Sequence, residues 1–462
     1  MKHIFEIYNY LRVKIGKTKI YSSHNLVIII FIMIAGSISS AQAQQSWSLS
    51  MCVDYAVDNN IELNQKYNRI KLSKVNLQES KAKLLPDLNL GSTVDLNFGR
   101  NIDGSNNAIT YDRTLTNSYW VNSSINIFQG LVKYNTIQFT KYQLSASKEE
   151  AVLKKNMLIM DILTSYYMLL YSEGLTNVAL SQVNLSHSQF ERMQKLVDVG
   201  QESPLTVQEL KSQWAADKLN LTRAQNNVSS SLLQLKQLLR LDASKPFSID
   251  TTDIVLLMSN TVPEVDSVFK TAVTLMPQIK QSEYLLNASE KELAMAKGGI
   301  SPRIYVSGGF ATGYFDGDDF NFNDQLSNNQ NQWINMGIAI PVFNGASVHS
   351  RIKRKKIAML DNELELEKQR ENLYIEIWNA IDELQSAESE YKSSIELHGF
   401  SKLTLQNVTK KMEKGLAGTT DFEVAKQRFV YAEAALLKSK LIFIMRRQML
   451  AFYQTGNWGH LR

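Results

Sequence analysis

Four short segments of the chain alternate between apolar and polar residues. The alternation runs over 88–98, 118–128, 303–314 and 333–343. A period of two places successive side chains on opposite faces of a β-strand. The pattern therefore predicts four strands, paired within 86–128 and 302–343, each with one apolar and one polar face. Such strands occur in outer-membrane barrels and also in antiparallel sheets that cover a soluble core.

Each strand pair is followed by a long segment with helical periodicity, over 131–198 and 346–413. A helix of that length would extend about 100 Å. In the first segment, apolar residues recur near heptad spacing, at Val152, Leu153, Leu158, Ile162, Leu163, Leu169 and Leu170. The pattern is typical of coiled-coil packing and requires partner helices along the whole length.

Shorter helices are predicted before and after these segments. They cover 50–84 and 204–240 in the first half, and 264–300 and 419–454 in the second. Glycines end the long helices, and Ser203 or Thr420 could cap the helices that return. The two short helices of each half together equal one long helix in length, so they could pair with it end to end.

Landmark residues recur about 215 positions apart. The matching pairs are Ala56 and Ala272, Leu63 and Ile279, Pro86 and Pro302, Gly130 and Gly345, and Gly200 and Gly415. A repeat of this kind predicts two copies of one structural unit. We therefore divide the mature chain into a first repeat, a linker or equatorial segment, a second repeat and a tail, over 44–240, 241–263, 264–455 and 456–462.

The amino terminus has the features of a secretory signal peptide over 1–43. Lys14, Lys17 and Lys19 precede an apolar run over 26–36, and Ala41-Gln-Ala43 follows it. The run has 11 residues, whereas a membrane-spanning helix needs about 20. We therefore expect export followed by cleavage.

Cleavage changes the charge of the protein. The full chain of 462 residues has a formal net charge of +5, and residues 1–43 hold five of its Lys and Arg and one acid, so the mature chain has +1. This balance argues against a nucleic-acid partner. Cys52 is the only cysteine, which excludes a disulfide framework, and we expect it to be a buried helix residue.

No motif for catalysis or for cofactor binding is present. The sequence has neither a phosphate-binding Gly-x-x-x-x-Gly-Lys-Ser/Thr nor a Gly-x-Gly-x-x-Gly motif, and its six histidines are scattered. We therefore predict no enzymatic activity, no cofactor and no metal site.

The ordered set of features resembles the TolC-like outer-membrane efflux protein family over residues 47–455. The matching features are the opening Trp47–Asn60, the strand openings at Pro86 and Pro302, the strand exits at Gly130 and Gly345, and the turns at Gly200 and Gly415. The opening with Cys52 is similar to family members from the Bacteroidetes.

The resemblance implies a mixed α and β membrane protein that forms a trimer. Four strands from each protomer would build a 12-stranded barrel through the outer membrane, in contact with its lipid. Long helices would continue it as a coiled-coil tunnel across the periplasm. The protein would be the passive exit duct of a tripartite efflux or type I secretion system, served by a periplasmic adaptor and an inner-membrane transporter.

The resemblance also suggests candidate functional residues. The turns at the periplasmic tip would contact the adaptor through Gly200, Gly415, Leu416 and Asp421. A possible acidic selectivity ring consists of Asp198 and Glu413, and the barrel lumen would contain Asp87, Asp95 and Arg303. Ordinary solvation is the alternative explanation for the acidic and lumen residues, and helix capping could apply to the tip residues together with adaptor contact.

Two other classes of protein remain open. A soluble periplasmic coiled-coil adaptor would need only one helical hairpin, and the duplicated strand pairs argue against it. An exported enzyme with helical arms would need a catalytic constellation, which the sequence lacks.

Overall fold

The computed structural model describes residues 46–102, 108–110, 113–250, 263–317 and 320–459. The predicted signal peptide lies outside these residues, as do 251–262 of the predicted linker and 460–462 of the tail. The described residues divide into a small unit, made of 46–47 and 246–250, and a large unit made of the rest.

The small unit is a parallel bridge between Trp47 and Ile249. The Trp47 amide donates to the Ser248 carbonyl oxygen at 2.9 Å, and the Asp250 amide donates to the Trp47 carbonyl oxygen at 2.9 Å. The rings of Trp47 and Phe247 pack edge to face at 5.3 Å between centroids. Part of the predicted equatorial segment is therefore extended backbone.

The first half of the large unit contains four helices and four strands. In chain order they are α1 (Leu49–Asn59), α2 (Ile61–Ala82), β1 (Asn89–Asn97), β2 (Asn101–Ile102), β3 (Ile109–Thr110), β4 (Thr114–Gln129), α3 (Val132–Asp198) and α4 (Pro204–Leu239). The second half continues with α5 (Val265–Leu275), α6 (Pro277–Gly298), β5 (Arg303–Phe315), α7 (Phe322–Asn328), β6 (Asn331–Ala339), α8 (Ser347–Glu413) and α9 (Thr419–Thr455).

The opening segment of each half is two helices rather than one. Asn60 has extended backbone angles, and its side-chain oxygen accepts from the Leu63 amide at 2.9 Å, which caps α2. In the second half, Met276 is extended and Pro277 occupies the first turn of α6. The sequence pattern predicted one continuous helix at the start of each half, because only a single residue interrupts the helical periodicity there.

Both long helices contain 67 residues and begin after a left-handed pair of residues. Gly130 and Leu131 have φ of 56° and 58°, and Gly345 and Ala346 have φ of 61° and 59°. A Cβ atom at Gly130 would lie 2.4 Å from the Gly298 carbonyl oxygen. Glycine therefore allows both the backbone angles and the close approach of α3 to the end of α6.

The helices pack lengthwise, as the length comparison predicted. Helix α3 contacts α2 and α4 at its two ends and also contacts α1, α6 and α9, whereas α8 contacts α5, α6 and α9. The apolar stripe of α3 is buried at Leu158, Ile162, Leu163, Leu169 and Leu170. Val152 was predicted in the same stripe but is exposed.

The principal sheet has the order β1–β4–β5–β6, and all of its neighbouring strands are antiparallel. Two of its strands come from each half of the chain. A bulge between Asn126 and Phe128 leaves Ile127 without a partner on β5. Strands β2 and β3 form a separate two-stranded sheet.

The connection between β5 and β6 folds back on the sheet. The buried side chain of Gln325 donates to the carbonyl oxygens of Phe315 and Phe320 at 2.9 and 2.8 Å, and accepts from the Phe315 amide at 2.8 Å. One side chain thus satisfies three backbone groups and attaches α7 to the end of β5.

Candidate functional site: sheet faces and helix ends

One face of the principal sheet is apolar across all four strands. In an antiparallel pair, directly opposite residues share a face. The register places Leu90 opposite Val121, which is opposite Phe310, and places Val306 opposite Met336. The same face holds Val94, Leu96, Tyr119, Ile125, Phe128, Ile304, Ile334 and Ile338. The apolar positions predicted separately for each strand therefore form one surface.

This apolar face is exposed in the protomer. Leu90 is 79% exposed and Ile334 is 86% exposed. Water-exposed apolar patches of this kind mark surfaces that another apolar phase or partner covers.

The opposite face is polar, with aromatic rings over glycines of neighbouring strands. A Cβ atom at Gly91 would lie 2.2 Å from the Trp120 ring, and one at Gly337 would lie 2.4 Å from the Tyr305 ring. Trp333 lies over Gly309 in the same way. These rings cover the backbone where a side chain is missing.

The structure places Asp95 and Arg303 on the polar face, opposite Thr116 and Gln129 respectively. Asp87 lies before β1, where its carboxylate accepts from the Ser124 amide at 2.5 Å and from the Ser124 hydroxyl at 2.9 Å. Asp87 therefore adds one more hydrogen-bonded pair, with Ser124, to the end of the β1–β4 pairing. The sequence did not predict this structural role.

The two predicted turns end α3 and α8 in the same way. Gly200 has φ of 73° and Gly415 has φ of 70°, in the left-handed region that glycine favours. The Gln201 amide donates to the Leu196 carbonyl oxygen at 2.8 Å, and the Leu416 amide donates to the Lys411 carbonyl oxygen at 2.8 Å. These bonds satisfy carbonyl groups at the helix ends.

The helices that return from the turns are capped differently. Ser203 caps α4, as predicted, by accepting from the Leu205 amide at 3.2 Å. Helix α9 begins after Gly418, not after Thr420, and the Gly418 amide donates to the Asp421 carboxylate at 3.3 Å. The Thr420 cap was wrong because Asp421 occupies the third helical position and bonds back to the cap. Leu416 is exposed.

Asp198 and Glu413 are the last residues of α3 and α8. Asp198 accepts from the Gln194 side chain at 2.9 Å. Glu413 pairs with Arg192 of α3 at 3.0 Å, which joins the ends of the two hairpins. Thr419 donates to Glu209 at 3.2 Å in a second contact between the hairpins.

A buried charged cluster lies farther from the turns. Lys426 on α9 has no exposed surface, and its Nζ lies 2.7 Å from Asp217 on α4 and 2.8 Å from the Ser186 hydroxyl on α3. Ser186 also donates to Asp217, and Gln213 donates to the other Asp217 oxygen at 3.2 Å. The cluster therefore joins three helices.

Glu423 completes the cluster at its edge, 3.2 Å from Lys426. Burial raises the pKa of Glu423, and the Lys426 charge partly opposes that shift. The sequence did not identify this cluster, since Lys426 and Asp217 are far apart along the chain. One sequence signal could have revealed it: the charged residue Lys426 follows Phe422 and Ala425 at the spacing of one buried helix face.

Cys52 is buried within α1, as predicted. Burial raises the pKa of its thiol to about 12. Among the described residues no group of His, Cys, Asp and Glu could hold a metal ion. Over the same residues, no helix combines the length and apolar character needed to cross a membrane.

Residues 53–239 match the family model described as outer membrane efflux protein. The resemblance to the outer-membrane efflux family is confirmed. Among curated proteins, none matches the sequence significantly.

Solved channel structures share the fold of this chain. CusC has 15% sequence identity and a TM-score of 0.77, over 90% of this chain and 96% of that chain. VceC of Vibrio cholerae has 15% identity and a TM-score of 0.76, over 89% and 96% of the two chains. The CmeC outer membrane channel of Campylobacter jejuni has 15% identity and a TM-score of 0.75, over 92% and 91%. These neighbours are channel and outer-membrane proteins, not enzymes.

Proposed function

We propose that this efflux-family protein is an outer-membrane exit duct, through which substrates delivered by an inner-membrane transporter and a periplasmic adaptor leave the cell. The observation that carries the proposal is the sheet with one largely apolar face and one polar face. In an outer-membrane barrel the apolar side meets lipid and the polar side encloses water. Export by the predicted signal peptide would deliver the chain to the periplasm.

A single protomer would not close a barrel. Its sheet has four strands, and β1 and β6 each have one edge without a partner strand in the described structure. Three protomers joined edge to edge would give the proposed 12 strands and would remove both exposed edges. The equal lengths of α3 and α8 support the proposed two-repeat organisation, with helical hairpins of similar reach surrounding the tunnel.

The turns would form the periplasmic tip. We assign the adaptor contact to Gly200, Gly415, Leu416 and Asp421, with exposed Leu416 as the apolar contact. Asp198 and Glu413 would give an acidic ring at the end of the tunnel. Because Arg192 pairs with Glu413, we expect Asp198 to carry more of the cation preference. Asp87, Asp95 and Arg303 would contact water in the barrel.

Membrane insertion and conductance test the duct. We expect the purified protein to form trimeric, ion-conducting channels in planar bilayers. Met336→Arg would place a charge on the apolar face, at a cost of about 2–4 kcal/mol near the bilayer centre, and should prevent insertion. Asn335→Arg, one residue away on the polar face, should insert and conduct.

Two results would overturn the duct. One is recovery of the wild-type protein in the soluble periplasmic fraction, which the alternative of a soluble adaptor requires. The other is equal insertion of both arginine variants. Asp198→Asn should reduce the cation preference measured by the reversal potential. An unchanged potential would contradict the proposed acidic ring but not the duct.

A further inference from the structure

The first turns of α8 carry a concentrated positive charge. Residues 351–356 include five cations, and no acid occurs between the helix start at Ser347 and Asp361. Only Lys355 has an ion pair in the described structure, with Glu292 at 2.5 Å. Lys353, Arg354 and Lys356 are exposed and have no carboxylate partner among the described residues.

The cations directly follow the apolar surface of the sheet. Beyond β6, Ile340, Val342 and Phe343 are exposed, the last two at 91% and 88%. Lys353 lies ten residues after Phe343, and at about 1.5 Å per helical residue the cations lie on the order of 10 Å beyond the apolar segment. The headgroup region of a membrane extends about 5–8 Å beyond the hydrocarbon edge, within reach of the long Lys and Arg side chains on these turns.

Six consecutive residues make more than one turn of a helix. At about 100° per residue, Lys353, Arg354 and Lys356 lie on the side of α8 opposite Lys355, which pairs with Glu292 of α6. These three cations therefore lie on the side of α8 that does not face α6. Juxtamembrane Lys and Arg attract anionic lipids by about 1 kcal/mol each, and their long stems allow the charges to reach the phosphate level.

We propose that Lys353, Arg354 and Lys356 bind the phosphate groups of anionic phospholipids in the membrane leaflet that faces the helices. This inference rests on the proposed function, since it places the sheet in the outer membrane. The surface would fix the depth of the trimer and keep the start of α8 at the membrane surface.

Lipid selectivity measured with spin-labelled lipids tests this surface. The trimer is reconstituted in phosphatidylcholine, and the association of spin-labelled phosphatidylglycerol is compared with that of spin-labelled phosphatidylcholine. We expect wild-type protein to prefer phosphatidylglycerol. The triple variant Lys353→Gln, Arg354→Gln and Lys356→Gln should lose about fivefold in preference for each cation that reaches lipid. Added salt should weaken the wild-type preference.

The matched control removes the same charge at the other end of the helix, with Lys410→Gln, Lys411→Gln and Lys414→Gln. This variant should keep the wild-type lipid preference. The proposal is overturned if both variants behave alike, or if the first variant keeps its lipid preference and shifts the reversal potential, which would place the cations in the lumen. Conductance of wild-type protein in pure phosphatidylcholine tests the duct separately.

Discussion

The two 67-residue helices, α3 and α8, have the same length but different surroundings. Helix α3 lies against helices from both halves of the chain, and its central stripe is buried in the protomer. Helix α8 has fewer partners and exposes large apolar residues, including Ile357, Leu360, Leu364, Ile375, Trp378 and Phe400. Helix α3 thus lies in the protomer core, whereas helix α8 presents an apolar surface that needs a cover.

This contrast gives the proposed trimer a physical basis. Leu364 and Ile375 are 11 residues apart, and Trp378 and Phe400 are 22 residues apart, which is twice that spacing. A spacing of 11 keeps residues on one side of a nearly straight helix. A neighbouring protomer could therefore cover this stripe between Leu364 and Phe400, whereas Lys353 and Lys356 continue the same side of α8 at the membrane level.

The largest expected effect comes from charging that stripe. Leu364→Asp with Trp378→Asp would bury carboxylates in the trimer contact, at a cost of several kcal/mol per ion. We expect trimers to be lost, as measured by light scattering in detergent. Asn379→Asp adds a charge next to Trp378 and should leave the trimer intact. Full trimer yield from the double variant would show that α8 faces water.

The second prediction compares the buried and exposed contacts between the two hairpins. Lys426→Met leaves Asp217 charged and buried, and should cost about 3–5 kcal/mol in the free energy of unfolding. Glu413→Gln breaks the exposed pair with Arg192 and should cost at most about 1 kcal/mol. Denaturant titration measures both.

A double variant separates charge burial from packing at the same site. Lys426→Met with Asp217→Leu removes both charges, and should recover most of the stability lost by Lys426→Met alone. If the double variant does not recover stability, the loss caused by Lys426→Met comes from the packing of the site and not from an unpaired carboxylate.

The third prediction compares one glycine in each long helix. Both helices continue without a break at these glycines. A Cβ atom added at Gly174 of α3 would lie 2.3 Å from the Leu437 side chain of α9. A Cβ atom added at Gly399 of α8 would meet no neighbouring atom within 4 Å. Gly174→Ala should destabilise the protein by up to about 2 kcal/mol, since the overpacking cost of about 1–3 kcal/mol exceeds the helix-propensity gain of about 0.5–1 kcal/mol. Gly399→Ala should stabilise it by about 0.5–1 kcal/mol, since alanine favours the helix. Destabilisation by Gly399→Ala would instead place a neighbouring protomer against it.

The smallest expected effect concerns pH. Burial raises the pKa of Glu423, so its charged form reduces folding stability as the pH rises above the ordinary value of 4.5. Glu423→Gln should therefore be more stable than wild type at neutral pH. The two proteins should become equally stable once the pH falls below that ordinary value. A stability difference that is independent of pH would contradict this.

Periodicity was enough to predict the four strands of the principal sheet, their apolar faces and the long helices, because lipid or core burial requires a regular repeat of apolar residues. The glycine turns were predictable for a related reason, since Gly200 and Gly415 adopt backbone angles that favour glycine. These features depend on residues that are close in sequence.

Other features depend on contacts that no local pattern encodes. The bulge at Ile127 changes which residue lies opposite Ile304, although the alternation appears uninterrupted. The cap at Gly418 depends on competition between Thr420 and Asp421. The Lys426–Asp217 pair forms only when α4 and α9 are side by side, and α7 depends on the bonds of Gln325.

The lone thiol has a practical consequence for measuring this molecule. Cys52 is buried, and burial raises its pKa to about 12, so almost none of it is thiolate at neutral pH. Maleimide dyes would therefore leave the native residue unlabelled. A reporter cysteine introduced at the turns or on either sheet face could be labelled selectively in the otherwise unaltered chain.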